Sequence, residues 1–330
     1  MPIDVLIIGV GSIGHRHVRC FLNTGRARVS ICEADHSLCR AIADQYNIAH
    51  TFNHLDSALA SSPNLAVICT PAHLHVPMAI QIAEQEIDVL IEKPLGTVRD
   101  GLDRLDELIT RNNLICGVAY VMRQHPVVQD LHEIVNSQQF GRPLQYTLTA
   151  GQHFPYYRPA YRDIYYTEHR TGGGAIQDAI THMMNTCQWL LGPTTSLVCD
   201  AGHLALEGVT VEDTVHVLTR HGDIMGSLAL NQFQSPNEAT LDIHFQKGSI
   251  RAFFHSNLWL YCDKPDTAWQ TGRKYDLQRD DLFIAQANKF LDCLETRTTP
   301  SCNLQEAAHT LNTNLAMLTS SKTKQWLNIS

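Results

Sequence analysis

The apolar run Val5-Leu6-Ile7-Ile8 passes directly into Gly9-Val10-Gly11-Ser12-Ile13-Gly14, and a helix-compatible segment follows. No other feature narrows the fold as far. A bare G-x-G-x-x-G means little, but here it follows a strand and opens a helix, the context its mechanism requires. Gly9 suits a tight turn, Gly11 lets backbone approach a pyrophosphate, and Gly14 lets helix and strand pack closely. The helix N-terminus would then face the anion. Ser12 and Ile13 join these glycines as cofactor-binding candidates. The next strand ends at Glu33, nineteen positions after Gly14, where a carboxylate can accept hydrogen bonds from ribose hydroxyls and would repel a 2′-phosphate. No Arg or Lys directly follows it, Arg40 being the nearest, so NAD is expected over NADP.

Up to about residue 120 short β-rich runs alternate with helical patterns. Val5–Ile8, Val29–Cys32, Leu65–Cys69, Val89–Ile91 and Ile115–Val118 are brief and apolar, with helix-like segments such as Ala79–Gln85 and Leu102–Arg111 between them. Buried strands alternating with helices read as βαβ units and a parallel, doubly wound sheet. After about residue 122 the texture changes. Residues 143–154, 196–206, 213–220, 224–234, 239–246 and 250–262 form consecutive strand-like runs, interrupted by helical patterns at 126–137 and 175–191 and closed by others at 281–296 and 304–319. That pattern predicts a largely antiparallel sheet. The expected class is α/β with a second α+β domain, divided as 1–122 for the dinucleotide and 123–330 for substrate and oligomerisation, with a crevice between them.

A length of 330 residues suits two domains. Lys+Arg number 25 against Asp+Glu 33, a net charge of −8 that argues against a nucleic-acid partner. No run approaches the roughly 18–20 apolar residues of a membrane span. The apolar start contains Asp4 and lacks a basic leader region, so a cytoplasmic chain is expected. Its ten cysteines include no C-x-x-C pair and sit mostly in apolar runs, as reduced core residues do. The 18 histidines are scattered, His15/His17 and His73/His75 lacking a third ligand nearby in sequence, so no metal is expected.

The strand Val89-Leu90-Ile91 ends in Glu92-Lys93-Pro94. Ligands of open α/β sheets sit outside the carboxyl ends of strands, so Lys93 would emerge into the crevice. Pro94 restricts it to extended backbone angles. Its ammonium could hydrogen-bond a substrate hydroxyl and stabilise negative charge as a proton leaves. A lysine before a proline also marks many ordinary solvated turns.

The N-terminal G-x-G-x-x-G, Glu92-Lys93-Pro94 after the fifth strand, and Gly172-Gly173-Gly174 before a D-x-x-x-H helix together resemble the Gfo/Idh/MocA oxidoreductases. Their members include glucose–fructose oxidoreductase and myo-inositol dehydrogenase. The resemblance runs nearly end to end. Thr70-Pro71-Ala72-His73-Leu74-His75 is similar to the family's loop after the fourth strand, and Gly117 to Arg123 to its domain crossover. Val211-Glu212-Asp213-Thr214 and Gln246-Lys247-Gly248-Ser249 fall where its open sheet has similar sequences. It implies an N-terminal Rossmann domain with Thr70, Pro71, His75, Glu92 and Lys93 beside the cofactor. It also implies a C-terminal domain with a large open sheet, and homodimers or homotetramers formed through that sheet.

On the helix after the glycines, Asp178 and His182 stand at i,i+4 and Asn185 three further on, which places all three on one face. His182, with an ordinary pKa near 6.5, suits removal of a hydroxyl proton. Asp178 could orient the imidazole or bind the sugar. The resemblance assigns Lys93, Asp178 and His182 to catalysis. Many members have Asp where this chain has Asn185, an amide that can hydrogen-bond a polyol but carries no charge.

Tyr156, Tyr157, Tyr161, Tyr165 and Tyr166 fall within eleven residues, interleaved with Arg158 and Arg162. Tyrosine faces pack on sugar rings, and guanidinium groups read hydroxyls or carboxylates. Tyr161, Arg162 and Arg123 are therefore substrate-binding candidates; a subunit interface or a core lid would use the same residues. The expected function is an NAD-dependent dehydrogenase of a secondary alcohol on a sugar, cyclic polyol or sugar acid. One alternative is a nucleotide-sugar dehydrogenase, with Arg158 and Arg162 gripping the diphosphate. Another is a non-catalytic NAD-sensing regulator.

Overall fold

A computed structural model describes residues 2–329. The chain forms two compact units: residues up to 124 together with 278–308, and residues 125–277 together with those from 309 onward. The first unit thus takes back a stretch near the C-terminus, a return that the linear division at 122 does not contain.

The first unit holds β1 (Ile3–Ile8), α1 (Ser12–Asn23), β2 (Ala27–Cys32), α2 (His36–Tyr46), β3 (Thr51–Phe52), α3 (Leu55–Leu59), β4 (Leu65–Ile68), α4 (His75–Glu84), β5 (Asp88–Ile91), α5 (Leu102–Arg111) and β6 (Cys116–Val118). The strands pair in the order β3-β2-β1-β4-β5-β6, parallel throughout. That is the expected doubly wound sheet. Strands buried on both faces need no polar alternation, and their residues divide between two cores. Leu6, Ile8, Ala66, Ile68, Val89 and Ile91 point into one, and Val5, Ile7, Leu65, Val67 and Leu90 into the other. The two-residue β3 is too short to register as a periodic run and is missing from the sequence reading.

The second unit contains α6 (Pro126–Ser137), β7 (Pro143–His153), α7 (Phe154–Tyr157), α8 (Thr181–Leu191), β8 (Ser196–Gly202), β9 (Thr214–His221), β10 (Ile224–Asn231), β11 (Phe233–Phe245), β12 (Gly248–Phe253), β13 (Leu258–Cys262) and β14 (Gln270–Lys274). After it in sequence come α9 (Asp281–Thr296), which belongs to the first unit, α10 (Leu304–Thr323) and β15 (Leu327–Asn328). From α9, Ala287, Phe290, Leu291 and Cys293 enter the core that also holds Val18 and Phe21 of α1.

Nine strands pair as β14-β13-β12-β11-β7-β10-β9-β8-β15. All the pairs are antiparallel except β7 with β10. The apolar run 250–262 is two strands, broken by a turn at Phe254–Ser256. Along β9, Val215, Val217, Thr219 and His221 are buried while Leu218 between them is 53% exposed, so one face is covered and the other open. Tyr146 lies on the covered face, where its hydroxyl meets Thr219 Oγ1 at 2.7 Å and His221 Nε2 at 3.0 Å. Any side chain at Gly226 would collide with the Tyr146 ring.

Candidate active site

In the first unit the carboxyl ends of β1, β2, β4 and β5 gather the expected cofactor residues. Gly9 turns the chain at φ +81°, which a Cβ would strain, and its amide donates to the Cys32 carbonyl at 2.8 Å. A Cβ on Gly14 would stand 1.8 Å from the Gly9 carbonyl oxygen, so only glycine lets α1 lie this close to the turn. Gly11 stands at the N-cap of α1 with open space where its side chain would be, and no side chain caps the helix. Gly11 and Ser12 are exposed, Ile13 less so. The first amides of α1 are thus left for an anion approaching over Gly11, a cradle that fits a dinucleotide pyrophosphate.

Glu33 closes the other side. Its Oε2 accepts from the Val10 amide at 2.9 Å and its Oε1 from the Asp35 amide at 3.0 Å. The same carboxylate expected to meet a ribose therefore also braces the glycine turn. Thr70 and Pro71 follow β4, the Thr70 methyl lying against Gly9. His75, 1% exposed, lies between two carbonyl oxygens: Nε2 is 2.8 Å from Thr70 and Nδ1 2.8 Å from Pro94. Burial pushes its pKa below the ordinary value, against the opposing pull of those carbonyls.

Glu92 is 4% exposed, and its carboxylate bonds His17 Nε2 at 2.7 Å and the Lys93 amide at 3.0 Å. It supports the lysine turn from inside. Lys93 itself is half-buried at the head of the turn, joined to Pro94 by a cis peptide bond. Arg123 takes a different place from the one expected of a substrate residue. It is 2% exposed, donates to the Ser301 carbonyl, and pairs with Glu306 at 3.0 Å. His125, in the second unit, caps α6 through the Val127 amide and lies 3.2 Å from Asn257 Oδ1.

The second unit builds around a glycine turn. Glu212, buried, accepts from the Ile176 amide at 2.8 Å and from His169 Nε2 at 2.5 Å, and its oxygens fill the space a side chain at Gly174 would need. Residues Ile176–Ile180 then form a wide π-helical turn before α8. Such turns recur at functional sites, and this one carries Asp178. Both Asp178 and His182 are half-buried. Tyr165, 40% exposed, donates its hydroxyl to Asp178 Oδ1 at 2.9 Å. The sequence placed Tyr165 in an aromatic cluster without singling it out, because a separation of thirteen positions hides the pairing.

Asn185 parts from its two neighbours. At 1% exposure its amide donates to Thr310 Oγ1 at 2.9 Å, and Thr310 donates to Gln188 Oε1 at 2.7 Å. Gln188 reaches Thr313 and Asn314 reaches Thr181, so one stripe of α8 is zipped to α10 by side-chain amides and hydroxyls. Asn185 therefore turns inward, away from the shared face expected of it, whereas Asp178 and His182 are both half-buried. Tyr161 is also buried, in a small cluster with Phe154, Tyr166, Leu206, Val209 and Val211. Its hydroxyl donates to the Glu207 carbonyl at 2.7 Å. Arg162 caps the same carbonyl at 2.9 Å and lies over the Tyr161 ring. These two residues hold the 161–162 turn to the 207 loop.

Comparison with known proteins agrees with this architecture. A model described as the oxidoreductase family with an NAD-binding Rossmann fold matches residues 3–120, and one described as the GFO/IDH/MocA C-terminal domain matches residues 128–251. The scyllo-inositol 2-dehydrogenase (NAD(+)) of Bacillus subtilis (strain 168) is 22% identical over 248 residues, 74% of this chain and 64% of that protein's length. A D-xylose 1-dehydrogenase [NADP(+)] of Haloarcula marismortui is 24% identical over 301 residues, 86% of this chain and 80% of that protein. Levoglucosan dehydrogenase, solved in complex with NADH and levoglucosan, superposes with a TM-score of 0.91 across 100% of both chains at 19% identity, which establishes the fold.

Proposed function

The chain belongs to the Gfo/Idh/MocA oxidoreductase family, and we propose that it is an NAD-dependent dehydrogenase of a secondary alcohol on a sugar, cyclic polyol or sugar-acid derivative. The observation that carries this reading is the first unit's cradle: an uncapped helix start over Gly11, with the Glu33 carboxylate 2.9 Å from the Val10 amide. Residues 1–122 take the dinucleotide in this reading, and 123–330 the substrate and the oligomer contact. Nicotinamide, when bound, supplies the hydride acceptor. Lys93 hydrogen-bonds the carbinol oxygen and stabilises the charge that grows there. His182 takes the hydroxyl proton, and Asp178 orients His182 or a neighbouring substrate hydroxyl. Arg123, Tyr161 and Asn185, each no more than 2% exposed, spend their polar groups on Ser301 and Glu306, the Glu207 carbonyl and Thr310, and so drop out as direct substrate contacts in this reading.

Relatives with either cofactor name exist. Glu33 supports NAD in this reading, since a 2′-phosphate would face its carboxylate. The nucleotide-sugar reading needs Arg158 and Arg162 as a diphosphate grip, whereas the Arg162 guanidinium already meets Tyr161 and the Glu207 carbonyl. The open face of the nine-stranded sheet, with Leu218 and Met225 each 53% exposed, is the surface we assign to a homodimer or homotetramer. All ten cysteines are free and nine are buried, which suits a reducing, cytoplasmic setting. No described helix is long and apolar enough to cross a membrane.

The test is a panel of sugars, polyols and sugar acids followed by reduced-nicotinamide absorbance, with NAD and NADP in parallel. Turnover with NAD, lost by more than tenfold in both Lys93→Ala and His182→Ala, is the expected result. A tenfold loss is about 1.4 kcal/mol of barrier. Cofactor binding without turnover across the panel overturns the assignment in favour of a nicotinamide-sensing regulator.

A further inference from the structure

Two buried imidazoles grip the turn that carries Lys93. On one side His17, 1% exposed and part of α1, meets Glu92 Oε1 at 2.7 Å, and the other oxygen of Glu92 accepts the Lys93 amide at 3.0 Å. On the other side His75, also 1% exposed, stands 2.8 Å from the Pro94 and from the Thr70 carbonyl oxygen, and its ring donates to one of them in each neutral tautomer. The elements they come from also form the cofactor cradle. His17 follows Gly14 on the helix whose uncapped first turn awaits the anion, and His75 opens α4 behind the Thr70–Pro71 loop. From the reading of Lys93 as a catalytic residue, we propose that His17 and His75 are positioning residues. Their hydrogen bonds tie the Glu92-Lys93-Pro94 turn to both cofactor-facing loops and so set where the Lys93 ammonium stands.

Apolar contacts could fill the same volume, and a buried polar pair is a poor way to add stability. What it adds is direction. Leu and Phe side chains resist compression but tolerate sliding, whereas a 2.7 Å imidazole–carboxylate bond prefers one distance and one angle. Phe21 and Phe283 wall in the His17 ring at 6.2 and 5.7 Å between centroids, which further restricts it. The turn is thereby held to α1 through two hydrogen bonds in series.

His17→Leu removes the donor, and His17→Gln keeps a side-chain N–H near the same position. Competitive acetylation of cofactor-free protein, read at Lys93 by peptide mass spectrometry, reports the lysine without any turnover. Lys93 labelling is expected to rise at least threefold in His17→Leu and to return close to wild type in His17→Gln. Identical labelling in all three proteins overturns the proposal. Once a substrate is found, a double-mutant cycle adds the second readout: His17→Leu should lower kcat at least tenfold alone and have no further effect in a Lys93→Ala background. Equal losses in both backgrounds mean that His17 acts only on stability, and the positioning role fails. Should Lys93→Ala keep full turnover, the catalytic reading of Lys93 falls, while the labelling result still decides the clamp. If His17→Leu does not fold, Glu92→Leu takes its place, because it removes the acceptors of both the His17 and the Lys93 amide bonds.

Discussion

Tyr165 donates its hydroxyl to Oδ1 of Asp178 at 2.9 Å, from a 3-10 turn onto the π-helical turn that precedes α8. The bond fixes the rotamer of a carboxylate four residues before His182. Tyr165→Phe keeps the ring and removes the donor. A hydrogen bond to a charged group contributes about 1.5–3 kcal/mol, so kcat/KM is expected to fall by at least tenfold. Initial rates test this; an unchanged kcat/KM removes Tyr165 from the site.

Cofactor choice hangs on Glu33. Its carboxylate, held by the Val10 and Asp35 amides, would repel a 2′-phosphate and accept from a 2′-hydroxyl in the proposed reading. Glu33→Arg should lower the NAD-over-NADP ratio of kcat/KM by tenfold or more. A wild-type protein that already prefers NADP contradicts the reading of this residue.

Asn185 distinguishes a substrate contact from a packing contact. Asn185→Ala leaves the buried Thr310 hydroxyl short of a donor, a loss of about 1–3 kcal/mol. Urea unfolding should show that loss, with kcat and substrate KM changed less than threefold. A tenfold rise in KM at wild-type stability would return Asn185 to the substrate site.

Acid sensitivity should trace to His221. Burial pushes its imidazole down to about 4 from an ordinary 6.5, with Nδ1 2.7 Å from the Gly192 carbonyl. Between those values the unfolded chain binds a proton that the folded one refuses, so stability is full above about pH 6.5 and falls as pH drops towards 4. Linkage over the whole interval amounts to about 3 kcal/mol. Of this, about 2 kcal/mol should be lost between pH 7 and pH 5. His221→Gln should flatten that slope; an equal slope in the variant assigns the acid loss to other groups.

Much of the fold is legible in the chain because its signals are local. A strand buried on both faces reads as a short apolar run, and a glycine that must take φ +81° or admit a carbonyl at 1.8 Å leaves a glycine in the sequence. Strand ends in α/β sheets then locate Glu33 and Lys93 without any knowledge of partners. The break at Phe254–Ser256 and the two-residue β3 escape this logic, since neither alters the hydrophobic period enough to be seen.

Partnership is what the sequence by itself leaves open. The chain alone determines that Asp178 and His182 share a helix, that Glu33 ends a strand, and that Lys93 precedes a proline. Only the tertiary structure decides that Tyr165 holds Asp178, that His17 stands behind Lys93 through Glu92, and that Asn185 and Arg123 spend their polar groups inside. The physical reason is range. Backbone geometry and hydrophobic period act over a few residues, whereas a side-chain hydrogen bond depends on which elements pack together, and a buried amide or guanidinium takes whatever partner that packing brings.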